Sequence, residues 1–144
     1  MRLGALLALV LAGCAPAVAA IPGARPWCEP PLVGGAPGRE AAASWGLPWV
    51  SDCAEADICV EHGFVEPGGP SGRAVLGRPC RAIILRPGPD VAAHEVGHCI
   101  GLGHSRDRRS VMYPETCPWD EPCLRVVTRD DRALARELTR CAMP

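Results

Sequence analysis

The chain's 144 residues have room for one domain, and a net charge of −1 supplies no basic field of the kind that attracts nucleic acid. Nearly half of the residues are apolar (48%), enough for a modest core, while nine cysteines point to an oxidising compartment. All fifteen basic residues are arginine, a compositional bias without a functional reading, and the run Arg106-Asp107-Arg108-Arg109 reads as a solvated loop.

In chain order, Arg2 is followed by an apolar run from Leu3 to Ala12. That run is too short to span a bilayer but has the length of an export-signal core, so residues 1–13 are expected to be a signal peptide. Leu11-Ala12-Gly13-Cys14 resembles the lipobox of bacterial lipoproteins. That resemblance implies acylation of Cys14 and a lipid-anchored protein of the bacterial cell envelope. It is the preferred reading because all four positions match and Cys14 abuts the apolar run. The alternative, cleavage after Ala17-Val18-Ala19, would release a soluble secreted protein. Residues 14–39 are so rich in proline and glycine that a tether is expected, with Trp27 and Cys28 pinning part of it to a domain over 40–144.

Glu40 to Trp45 reads as a short helix, and Ala56 to Val60 as a strand. A breaker-rich loop (EPGGPSG, 66–72) precedes two more strand candidates, Arg73 to Leu76 and Cys80 to Arg86. Pro87-Gly88-Pro89 ends the second, Asp90 stands at an N-cap, and a helix should run from Val91 to about Ile100. Thr128 and Asp131 are spaced as a capping box, followed by Leu134, Leu138 and Cys141 on one helical face.

Three of the four histidines fall within His94-Glu95-Val96-Gly97-His98-Cys99-Ile100-Gly101-Leu102-Gly103-His104. Residues four apart on a helix share a face, so His94 and His98 can present two imidazoles to one zinc ion. Glu95 lies about 100° around the helix, placed to act on water beside the metal. His104 reaches the same point only if the chain leaves the helix and doubles back. Gly101, which tolerates a left-handed conformation, stands where that turn must fall.

This H-E-x-x-H-x-x-G-x-x-H pattern is the zinc signature of the metzincin metallopeptidases. Ser110-Val111-Met112-Tyr113-Pro114 resembles the methionine turn of the matrixins, and Ser105 is also matrixin-like. Glu55-Ala56-Asp57-Ile58 and Thr128-Arg129-Asp130-Asp131 are similar to the starts of a matrixin strand and C-terminal helix. The resemblance implies an α+β fold: a twisted mixed sheet packed on the active-site helix, and a small C-terminal subdomain with its own helix. It also implies one catalytic Zn2+ held by His94, His98 and His104, with Met112 as an apolar floor. Tyr113 is not carried over as a ligand, because the family's tyrosine position corresponds to Pro114.

The implied function is that of a zinc metalloendopeptidase acting on peptide or protein substrates, with a zinc-activated water and Glu95 as general base. The chain should be a monomer that meets the membrane through its lipid anchor. The alternative is a zinc-binding exported lipoprotein without peptidase activity, in which Glu95 would have no task. A disulfide-stabilised adhesion domain is the more remote rival.

Setting Cys14 aside leaves Cys28, Cys53, Cys59, Cys80, Cys99, Cys117, Cys123 and Cys141, enough for four disulfides with about 105 connectivities. With only His62 outside the motif, a second histidine-built zinc site is not expected, nor are the family's calcium loops recognisable. Disulfides should supply the missing support. Cys28 lacks the flanks of a cysteine-switch latch and reads as structural. Cys99 leaves the helix away from the metal face, and pairing of Cys117 with Cys123 is the one specific guess.

Overall fold

Alternating burial along two neighbouring strands sets the core. The computed structural model describes residues 16–88, 90–115 and 125–140. Strand β1 (Val18–Ala20) lies in the N-terminal arm, followed by β2 (Val33–Gly34), α1 (Arg39–Trp45) and β3 (Trp49–Val50). Then come β4 (Ile58–His62), β5 (Gly72–Val75), β6 (Cys80–Ile84), α2 (Val91–Ile100), β7 (Leu102–Ser105) and α3 (Arg129–Leu138). Ile58 and Val60 of β4 and Cys80, Ala82 and Ile84 of β6 point to one face and are buried there. Against that face lie Ala41, Ala42 and Trp45 of α1 and Val91, Ala93, Val96 and Ile100 of α2.

The main sheet has the order β3-β2-β4-β6-β5. Strands β3, β2, β4 and β6 run parallel, and β5 is antiparallel to β6 at the edge. A mixed sheet packed on helices is the α+β arrangement that the sequence suggests. Strand β4 begins at Ile58, two residues later than expected. Ala56 is still in a turn with Cys53 (3.2 Å), and the Asp57 carboxylate accepts from the Leu32 N–H (2.8 Å). The C-terminal capping box is complete: Asp131 N–H donates to Thr128 Oγ1 (3.3 Å) and Thr128 N–H to Asp131 Oδ2 (2.9 Å).

One expectation needs correction, the tether over residues 14–39. Val33 is fully buried in the main sheet, and β1 pairs antiparallel with β7 in a separate two-stranded sheet. Val18 and Val33 bury apolar side chains in the common core, which outweighs the breaker-rich composition around them. The folded body therefore begins by Val18, not at residue 40. Asp90 occupies the N-cap position of α2, as the sequence indicates; its carboxylate makes no hydrogen bond to the first turn and pairs with Arg125 at 3.5 Å.

Cys53 is bonded to Cys59, and Cys80 to Cys99. The second of these joins β6 to α2 and closes a loop that contributes about 3 kcal/mol in the chain-entropy picture. Cys28 is also disulfide-bonded. Cys14, Cys117, Cys123 and Cys141 lie outside the described residues, as does the apolar run 3–12. Among the described residues, no helix is long and apolar enough to cross a membrane.

Candidate metal centre

Helix α2 carries His94, Glu95 and His98 and ends where Gly101 adopts a left-handed conformation (φ 116°). Its N–H caps the helix by donating to the carbonyls of Gly97 and His98 (3.2 and 3.0 Å). The chain then reverses into β7, which returns His104 to the two helical histidines. One ligand atom from each of the three rings lies within 4.8 Å of the others.

Backbone carbonyls set the ring orientations. His94 Nδ1 is 2.7 Å from the Val111 carbonyl, and His98 Nδ1 is 2.8 Å from the Leu102 carbonyl. A carbonyl only accepts, so each Nδ1 carries the proton and each Nε2 keeps its lone pair. Those two Nε2 atoms face each other at 3.0 Å. Two lone pairs converging in this way repel, and a cation between them removes the conflict. Burial pushes the His94 pKa down to about 4 and that of His98 downward as well, so both rings are neutral at pH 7. The donor set therefore fits a zinc ion.

Glu95 is buried at 6% exposure, and that burial raises its pKa to about 7. Its carboxylate packs against the edge strand at Gly72, where an added Cβ would stand 2.5 Å from Oε1. His94, Glu95, His98 and His104 share one cavity of about 400 Å³, whose lining also includes Gly72 and Arg125. Arg125 is largely buried, paired with Asp90 and set over the Tyr113 ring at 5.1 Å.

Met112 is fully buried beneath α2. A side chain at Gly97 would overlap the Met112 sulfur and come within 2.8 Å of Trp45 Cζ2. The methionine turn is fixed by a short relay: Met112 N–H donates to Ser110 Oγ (2.9 Å), whose hydroxyl donates to Asp131 Oδ2 (2.7 Å). The residue that completes the capping box of α3 thus also holds the floor of the site.

The structure brings together His94, His98, His104 and Glu95, with Gly101 at the turn and Met112 below. Cys99 points away into its bond with Cys80. Sequence reasoning missed Gly72, Gly97, the Ser110–Asp131 link and the arm strand β1. Gly97 left a signal, since a glycine inside a helix costs roughly 1 kcal/mol relative to alanine and calls for a reason. Strand β1 left none.

Residues 89–138, about a third of the chain, match the family model described as Matrixin. The chain is also 61% identical over 28 residues to Metalloendoproteinase 1 of Glycine max, a match covering 19% of this chain and 9% of that protein. The family match takes in all three histidines, Glu95 and the methionine turn, and over that stretch the chain is similar to the matrixin metallopeptidases.

Proposed function

We propose that the chain is a zinc-dependent endopeptidase in which His94, His98 and His104 hold the metal and Glu95 is the general base. One observation carries this reading: three convergent imidazoles share a cavity with a buried carboxylate whose pKa is about 7. Bound zinc would supply Lewis acidity, polarising a carbonyl oxygen and making water easier to deprotonate. Glu95 takes the proton from the water whose oxygen bonds to the peptide carbonyl carbon. It then delivers that proton to the amide nitrogen as the C–N bond breaks, and returns to its starting state. Burial raises the proton affinity of the Glu95 carboxylate, which favours its taking the proton from water. Gly72 leaves the room that Glu95 occupies, and Met112 supports α2 from below.

A metal-binding module without catalysis would gain nothing from Glu95, whose burial disfavours its charged form. Export through residues 1–13 and lipid attachment at Cys14 form part of the same proposal. The arm's early entry into the fold means that such an anchor would lie only four residues from β1. The test is a peptide-library digest with zinc-loaded protein beside Glu95→Gln. The variant should retain zinc and lose at least about 10²–10⁴-fold in hydrolysis. Cleavage by the variant at the wild-type rate would overturn the assignment.

A further inference from the structure

A second cavity, of about 450 Å³, begins at His98 and runs toward the C-terminal end of α2. The arm residues Ile21 to Arg25 form one wall with Trp27, and the turn Leu76 to Arg78 after β5 forms the other. Ile100 and the half-buried Trp27 give its lining an apolar part. Two arginines line it, and no carboxylate does among the described residues. Arg78 is already engaged: it lies 4.2 Å over the Trp27 ring and donates to the carbonyls of Arg25 (3.2 Å) and Pro26 (2.7 Å). Arg25 is exposed, and no carboxylate among the described residues pairs with its guanidinium. The catalytic cavity has the opposite balance, with Asp90, Glu95 and Glu115 against Arg125.

Strand β5 connects the two cavities. It is the edge of the main sheet, with β6 as its one neighbour among the described residues. Gly72 at its start touches Glu95, and Leu76, just past its end, lines the second cavity. At about 3.3 Å per residue, those positions are roughly 13 Å apart along the strand. An extended peptide can add to such an edge, and its side chains would then enter the flanking cavities. We propose that a substrate segment lies along β5 and places an acidic side chain, three or four residues from the scissile bond, in the arm-walled cavity against Arg25. This rests on the peptidase reading and adds a substrate class to it: peptides with Asp or Glu on one side of the cleaved bond.

The test uses zinc-loaded full chain and one cleavable peptide core. Glu, Gln or Lys is placed in turn at each of four positions on either side of the cleaved bond. Wild-type protein should favour Glu over Lys by about tenfold in kcat/KM at a position three or four residues out, and 1 M salt should reduce that ratio. Arg25→Glu should invert the preference while its zinc content stays at one per chain. A Glu/Lys ratio near one at every position, or the same ratio in Arg25→Glu, would overturn the proposal. Cleavage that depends on Glu95 would leave the peptidase reading standing in that case. If wild-type protein cleaves no peptide, the peptidase reading falls. Calorimetric titration of the Glu and Lys peptides then decides the cavity, and equal affinities overturn it.

Discussion

The two halves of the histidine cluster are held in different ways. His94 and His98 depend on one helix turn, and their spacing follows from local geometry that any good α-helix supplies. His104 depends on a strand whose partner, β1, is more than eighty residues away in sequence. Around it the arm adds bonds from Ile21 N–H to the Gly101 carbonyl (2.8 Å) and from Trp27 Nε1–H to the Cys99 carbonyl (3.0 Å). A motif can thus declare three convergent histidines without declaring what positions them. The helical pair takes its spacing from α2 alone, with the Val111 and Leu102 carbonyls orienting its rings, whereas His104 is tied to the N-terminal arm.

The strongest way to break the helical half is from beneath. Gly97→Val forces a side chain into Met112 and Trp45, so it should destabilise the fold by about 3 kcal/mol, the upper end for overpacking. Thermal unfolding of the metal-free protein would show this, and an unchanged Tm would mean that Met112 does not press on α2.

A smaller effect separates the chemistry of Glu95 from its packing. Its pKa is raised from 4.5 to about 7 in the folded protein. Above pH 7 the folded state carries a buried charge that the unfolded state holds in water, and this costs stability. The cost is absent below pH 4.5 and grows as the pH rises between the two values. In metal-free protein, Glu95→Gln should therefore be more stable than wild type at pH 8, by on the order of 2 kcal/mol, and the difference should vanish near pH 4. Denaturant unfolding at both pH values checks it, and a pH-independent difference would contradict the burial assigned to Glu95.

The smallest change addresses His104. Ile21→Pro removes the N–H that bonds the Gly101 carbonyl, a contribution of about 1 kcal/mol. Zinc affinity should fall about fivefold, while the helicity of α2 stays intact by circular dichroism. Unchanged affinity would show that β7 holds His104 without the arm.

Much of the fold was legible because its signals are local. Pro87 to Asp90 announced the start of α2, Thr128 and Asp131 announced α3, and β-branched residues marked β6. The order of the main sheet was not legible, since strands of two residues such as β2 and β3 carry no periodicity. The arm was misread for a related reason. Val18 and Val33 are single buried residues within runs of proline and glycine, and only long-range packing distinguishes them from a linker. At the site, the convergence of His94, His98 and His104 could be read from spacing, whereas Gly72 and the Arg125–Asp90 pair became visible only when distant segments met.

X-ray absorption at the zinc edge, on natively folded protein with its metal content measured, tests the central claim most directly. One zinc per chain is expected in a shell of nitrogen and oxygen, with three imidazoles at about 2.0–2.1 Å and no sulfur. No stoichiometric zinc, or a sulfur ligand at about 2.3 Å, would contradict it.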